Sequence, residues 1–216
     1  MSFFSDESNY IAIIGDIINS KKIEDRGGVQ KKLFEILNDI NKEYSDDLAS
    51  KFMITLGDEF QGLLKKGKNT IEILEEIEYR IHPVKIRFGI GIGEIKTEIY
   101  YEPIGADGPA YYNARDSVDM LKHNTSANIR ISSQNEKNDL LLNTIFSLLY
   151  SLKNKWTERQ RKVVYTAYHT GRQQETAEGL NITRSTVQQI LKRADYNCYR
   201  RTLETMKGIF SEIDRD

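Results

Sequence analysis

Two aspartates in this chain have the type and setting of metal ligands. Asp16 closes an isoleucine-rich run, YIAIIGDII (Tyr10 to Ile18). Asp58 opens an acidic pair with Glu59 between the apolar runs of KFMITLGDEFQGLL (Lys51 to Leu64). Carboxylates are costly to bring near a core unless something pairs with them. Two that converge form the oxygen set a hard cation such as Mg²⁺ takes, with substrate phosphates and water completing its shell. Metals held this way activate a 3′-hydroxyl and stabilise a phosphoryl leaving group. Lys21, Arg87 and Arg115 offer positive charge to phosphates. A plainer account stands beside this one: each aspartate ends a strand and accepts turn amides, as tight turns favour. His82, His123 and His169 have no Cys or His at ligand spacing, which argues against zinc.

For residues 16 and 58 to meet, the chain must fold into a sheet that carries both at one end. The run Tyr10–Ile18 has the β-branched content of a buried strand. An amphipathic helix opens after Gly27-Gly28, with Val29, Leu33, Phe34, Ile36, Leu37 and Ile40 at helical spacing. KFMITL and FQGLLKK form a tight hairpin about Gly57-Asp58-Glu59. NTIEILEEIEYRI is a second helix, capped by Asn69 or Thr70, with Pro83 soon after its end. VKIRFGIGIGEI alternates as a strand, and its glycines mark close approach of another backbone or a ligand. GPAYYNARDSVDMLKH, with Pro109 in its first turn, is a third helix, and NIRISS a last short strand. The order β-α-β-β-α-β-α-β begins with the split β-α-β pattern of a ferredoxin-like sheet, helices on one face. In such a sheet the first strand and the hairpin strands are central neighbours, so the two carboxylates converge.

These segments resemble a known catalytic fold. IIGDI is similar to the first metal-binding strand of class III nucleotide cyclases. ITLGDEFQGLL is similar to their second, and to the GGDEF hairpin of diguanylate cyclases. IRFGIGIGEI resembles the cyclase strand written RIGIHTGEV. The likeness covers Tyr10 to Ser133 in the correct order. It implies metal ligands at Asp16 and Asp58, possession of Mg²⁺, and nucleotide contacts at Lys21, Gly57, Glu59, Phe60, Arg87, Asn113 and Arg115. Two departures stand out. Class III enzymes place an Asn and an Arg four residues apart on the helix after the glycine-rich strand. Here Asn113 and Arg115 are two apart, and such residues do not share a helix face. Leu56 occupies the first glycine position of the diguanylate hairpin. Over the whole chain the sequence is identified as a member of the SatD family, through IIGDI with Ser20-Lys21, GDEFQ, GIGIG, GADGPA and a following helix-turn-helix.

The C-terminal part has a different texture. Residues 153–216 hold 13 Lys/Arg against 8 Asp/Glu, a balance of +5, while the remainder holds 18 against 24, or −6. A basic third behind an acidic body suggests a module that meets a polyanion. Thr157 with Gln160 forms a capping box. QQETAEGL is a short helix with Ala177 and Leu180 inward, NIT turns it, and Thr183 caps a long helix from Arg184 to Met206. This A-x-x-L-x-I-T-x-S-T-V order resembles the helix-turn-helix of sigma factor region four and of LuxR-type regulators, with Asn181 at a position where glycine is usual. The resemblance implies a recognition helix whose first turns carry Arg184, Ser185, Thr186, Gln188 and Gln189 into a major groove. Lys192, Arg193 and Arg172 are then placed for phosphates.

The expected architecture is therefore α+β. A ferredoxin-like, cyclase-palm-like domain (1–134) is followed by a connecting helix (135–152) and an all-α helix-turn-helix domain (153–216). The start, MSFFSDES, is polar and acidic, no run is long enough to span a bilayer, and the single Cys198 excludes an internal disulfide framework. A cytoplasmic regulator is expected, binding double-stranded DNA under control of a nucleotide or phosphate ligand. A nucleotidyl cyclase or related phosphoryl-transfer enzyme is the alternative. A homodimer would use the apolar face of Leu140–Leu152 or the tail TLETMKGIF.

Overall fold

A computed structural model describes residues 9–102, 105–123 and 126–213. Five strands form one sheet: β1 (Tyr10–Ile17), β2 (Leu48–Leu56), β3 (Glu59–Leu64), β4 (Ile86–Gly93) and β5 (Ile129–Ser132). Their spatial order is β2-β3-β1-β4-β5. The first four pair antiparallel in the split β-α-β arrangement, and β5 joins β4 in parallel. Of the hairpin strands only β3 neighbours β1; β2 is an edge strand, not the central neighbour expected.

Alternation along the strands assigns two faces. Ile11, Ile13 and Ile17 join Phe60, Phe88, Ile90 and Ile92 in the main core. That face is covered by α1 (Arg26–Glu43) and α2 (Thr70–Ile81), through Leu33, Ile36, Leu37, Ile40, Ile71, Leu74 and Ile77. Asp25 caps α1 by accepting the Gly28 amide at 2.8 Å, so the two glycines lie inside the first turn and not before it. Phe34, expected inward, is 57% exposed. The opposite face belongs to α3 (Pro109–His123), whose Ala110, Ala114 and Val118 meet Ala12, Ile14 and Leu63.

In β4 the glycines face α3. A Cβ at Gly91 would lie 1.9 Å from the Ala110 carbonyl oxygen and 2.3 Å from the Ala114 nitrogen. The backbone approach marked by these glycines is therefore that of a helix, which α3 makes by resting its main chain on the strand.

Helices α4 (Glu136–Lys153), α5 (Glu158–Thr170), α6 (Gln173–Gly179), α7 (Arg184–Arg193) and α8 (Tyr196–Phe210) complete the chain. Thr157 and Gln160 make the expected capping box. Thr183 caps α7 by accepting the Thr186 amide at 3.1 Å. Asn181 adopts a left-handed φ of 51° in the turn between α6 and α7. Val187 and Leu191 are buried, as is Ala177. The long helix expected from Arg184 to Met206 is two: the chain breaks at Asp195, held left-handed at φ 52°. These helices share the main core with the sheet. Tyr165 of α5 stacks on Tyr79 of α2 at 3.5 Å, and the Trp156 indole donates to the Ala194 carbonyl at 3.0 Å. Leu203, Met206 and Phe210 of the tail are buried in this core, so that face is not free to join two copies. Among the described residues no helix is long and apolar enough to cross a membrane.

Candidate functional site

The register of the sheet builds a charged row at one end. Asp16 is the direct cross-strand partner of Glu59 on β3 and of Arg87 on β4. Alternation puts these three side chains on the α3 face, since Asp16 follows Ala12 and Ile14, and Glu59 is in step with Leu63. Arg115 of α3 closes the row from above, donating to both Glu59 oxygens, with the Nη2 bond at 2.6 Å. Such forked pairing is the strong form of a carboxylate–guanidinium contact.

Asp58 belongs to the same place. The hairpin turn, with Gly57 at φ 63°, brings the Asp58 carbonyl to 3.2 Å from the Ile17 amide, which donates to it. The Gly57 carbonyl accepts from the Gln30 side chain of α1, which fixes the turn against the helix. Asp58 lies near enough to Asp16 for its charge to oppose ionisation there. The Asp16 carboxyl is raised above its ordinary value of 3.8, chiefly by burial, against the lowering effect of Arg87; Asp58 adds to the rise, Lys122 opposes it, and Glu59 adds again. The Asp16–Arg87 ion pair is long, at 3.4 Å.

The arrangement thus sets one carboxylate apart from the other two. Glu59 is buried and committed to Arg115, whereas Asp16 has a loose partner and Asp58 forms no ion pair among the described residues. Among those residues no group of three or more His, Cys, Asp or Glu side chains could hold a metal. Two carboxylates do fit a hard cation that fills its remaining positions with phosphate oxygens and water. They do not fit a zinc centre, which needs three or four protein ligands of the His and Cys kind.

The other sequence candidates fall in different places. Lys21 is exposed in a 3-10 turn (Ser20–Lys22) directly after β1. Phe60 points to the other face, fully buried, with its ring over Gly15, where a Cβ would come within 2.1 Å of it. It is a core residue, because the strand period turns it away from Glu59. Asn113 donates to the Ile92 carbonyl at 3.0 Å, further along β4, while Arg115 reaches Glu59. The i, i+2 spacing separates them, and Asn113 serves to dock α3. Sequence reasoning missed Lys122, on the last turn of α3, whose charge acts on Asp16. Its seven-residue spacing from Arg115, two helical turns, was the available signal.

On α7, Arg184, Ser185, Gln188, Gln189, Lys192 and Arg193 are exposed, and Thr186 is half-buried with its hydroxyl at 2.8 Å from that of Thr183. Arg172 precedes α6, exposed and paired with Glu175 at 3.2 Å.

Fold and site together define an α+β protein with a split β-α-β sheet whose carboxylates gather at one end. The chain belongs to the SatD family, whose model matches residues 10–210. Solved structures similar to it include a bacterial light-regulated adenylyl cyclase, at 15% identity over 58% of this chain and 76% of that one, with a TM-score of 0.45. The guanylate cyclase domain of RhGC from Catenaria anguillulae, in complex with GTP, is similar at 15% identity over 53% and 74%, with a TM-score of 0.41. A regulator of polyketide synthase expression from Bifidobacterium adolescentis is similar over 96% and 87%, at 15% identity and a TM-score of 0.28. Among curated proteins none matches.

Proposed function

We propose that the end of the sheet binds a nucleotide or another phosphate compound together with a divalent cation, as a phosphoryl-transfer site of palm type. The observation that carries this reading is that the hairpin turn is tied to the end of β1 through the Asp58 carbonyl and the Ile17 amide, so that the Asp58 charge acts on Asp16 beside an arginine held only at 3.4 Å. Asp16 and Asp58 would hold the cation, which when bound supplies positive charge to phosphate oxygens. Arg87 and Lys122, whose charges act on Asp16, would meet the remaining phosphate charge, with Lys21 in the turn directly after β1. Arg115 is held in place by Glu59, beside Asp16 in the same row. Gly57 leaves the turn without a side chain between Asp58 and solvent.

Calorimetry of the full chain against ATP and GTP, with and without Mg²⁺ or Mn²⁺, tests the reading. Metal-dependent binding is expected, and Asp58→Asn removes it. Chromatography of the same mixtures reports any turnover. Absence of binding under every condition overturns the proposal, and binding unaffected by Asp58→Asn moves the site elsewhere.

A second function rests on a separate observation: one face of α7 presents Arg184, Gln188, Gln189, Lys192 and Arg193 together, on the basic part of the chain. We propose that residues 153–216 act as a helix-turn-helix unit that contacts double-stranded DNA through this face. The palm (1–134) and connecting helix (135–152) would pass ligand binding on to it. A mobility shift that weakens with salt, and that Arg184→Ala with Gln188→Ala reduces, is the expected result. No shift at low salt removes DNA from the account.

A further inference from the structure

A cleft of about 750 Å³ runs between the palm helices and α5, α6 and α8, and none of the residues of the charged row lines it. Its volume lies in the range of small-molecule sites, ~300–1,000 Å³. Glu43 and Tyr44 stand at the end of α1, Glu72 and Glu76 on α2, and Tyr165 and Tyr168 on α5. Burial raises the Tyr165 hydroxyl to about 12 and lifts those of Tyr44 and Tyr168 further, so all three rings remain neutral and electron-rich.

The fold already places one ligand-like group there. The Lys207 ammonium of α8 lies 5.0 Å from the centre of the Tyr168 ring and pairs with a Glu72 oxygen. A primary amine on a four-carbon stem, over an aromatic face and against a carboxylate, is the chemistry of amine recognition. Two buried atoms beside it make no hydrogen bond: the second Glu72 oxygen and the Tyr168 hydroxyl. A buried polar atom without a partner is costly, and both of these accept from an ammonium. Glu43, exposed at the rim, forms no ion pair among the described residues. Glu76 is shared between Arg80, at 3.1 Å, and the Tyr44 hydroxyl, at 3.5 Å. Arg172 and Arg200 line the outer part, but each is paired with its own glutamate, Glu175 and Glu204.

We propose that this cleft binds an aliphatic diamine or polyamine. One ammonium lies over Tyr168 between the Glu72 oxygens, a place for which Lys207 competes as a tethered analogue, and a second reaches Glu43. The walls come from α1 and α2 on one side and α5 and α8 on the other, so the ligand joins the palm to the C-terminal helices.

Calorimetry of the full chain with putrescine and spermidine, at matched ionic strength, is the test. Saturable binding is expected, weakened about fivefold or more by Glu72→Gln, in line with the loss of a desolvated cation contact. Lys207→Met removes the tethered competitor and is expected to tighten binding several-fold. Should Glu72→Gln fail to fold, Glu43→Gln at the exposed rim keeps the test, with spermidine binding weakened. Absence of saturable binding, equal displacement by Mg²⁺, or a Lys207→Met variant that binds no tighter than wild type overturns the proposal.

Discussion

Two of the clusters of carboxylates and cations among the described residues are built on opposite terms. Between α2, α4 and α8, the Lys153 ammonium is buried, bonded to Glu75 at 2.6 Å and to Glu78 at 2.7 Å. The Tyr199 hydroxyl adds a bond to Glu75. Burial opposes the Lys153 charge, yet the two carboxylates hold its pKa above the ordinary lysine value. At the sheet end, Asp16 and Asp58 share a place where only Glu59 has a close cation, and burial wins, raising the Asp16 carboxyl. The first cluster is complete in itself and fastens helices together. The second leaves charge unmatched, which is what a site for an external cation requires.

Removing a charge from each cluster therefore has different consequences. Lys153→Met leaves Glu75 and Glu78 facing each other in a buried seam. Loss of one partner from a buried pair costs about 3–5 kcal/mol. Urea unfolding at neutral pH should show a loss of that order, and the triple variant with Glu75→Gln and Glu78→Gln should recover most of it. A loss under about 1 kcal/mol for the single variant would mean that the seam admits water, and the contrast between the clusters would fail.

The sheet end depends on how closely α3 rests on β4, because α3 carries Arg115. Gly91→Ala puts a methyl group against the Ala110 carbonyl and the Ala114 nitrogen, main-chain atoms that cannot rotate aside. The expected cost is about 1–3 kcal/mol, as for overpacking of a well-filled core. The displaced helix would also loosen Arg115 from Glu59. A variant as stable as wild type would show that α3 slides on the sheet, and the charged row would not be preorganised.

Much of this was legible in the residues themselves. The isoleucines of Tyr10–Ile18, the Gly-Asp turn and the helical stripe of Leu33, Ile36, Leu37 and Ile40 report strand, hairpin and helix by period alone. The split of β4 into large residues at 88, 90 and 92 and glycines at 89, 91 and 93 was also visible, and it distinguishes the two faces. What sequence could not supply were facts of register and distant packing. Asp16 sits between Glu59 and Arg87 because three strands align there. The burial of Lys153 depends on α2 passing beside it, more than 70 residues away in the chain. The break at Asp195 has no glycine or proline to announce it; Asp is one of the few side chains that tolerate the left-handed turn. Phe34 faces solvent because it lies about 100° round α1 from Leu33, off the line of Ile36, Leu37 and Ile40.

The smallest effect is the most specific to the candidate site. The folded Asp16 carboxyl titrates above 3.8, so the native state holds its proton through a pH range in which the unfolded chain has released it. Stability attributable to this group is therefore greatest below 3.8 and falls as pH rises through the native pKa. At neutral pH the ionised carboxylate carries its full burial cost, offset only in part by the long contact to Arg87. Asp16→Asn removes that cost, and in the absence of divalent metal it should stabilise the protein at pH 7 by about 0.5–1 kcal/mol. The gain should shrink as pH is lowered toward 3.8, where wild type is protonated as well. With Mg²⁺ and nucleotide present the order should reverse, because only wild type then has a use for the negative charge. A stability difference that is flat with pH would mean that Arg87 already balances Asp16. The sheet end would then be a closed ion-pair network like the Lys153 seam, with nothing left over for a ligand.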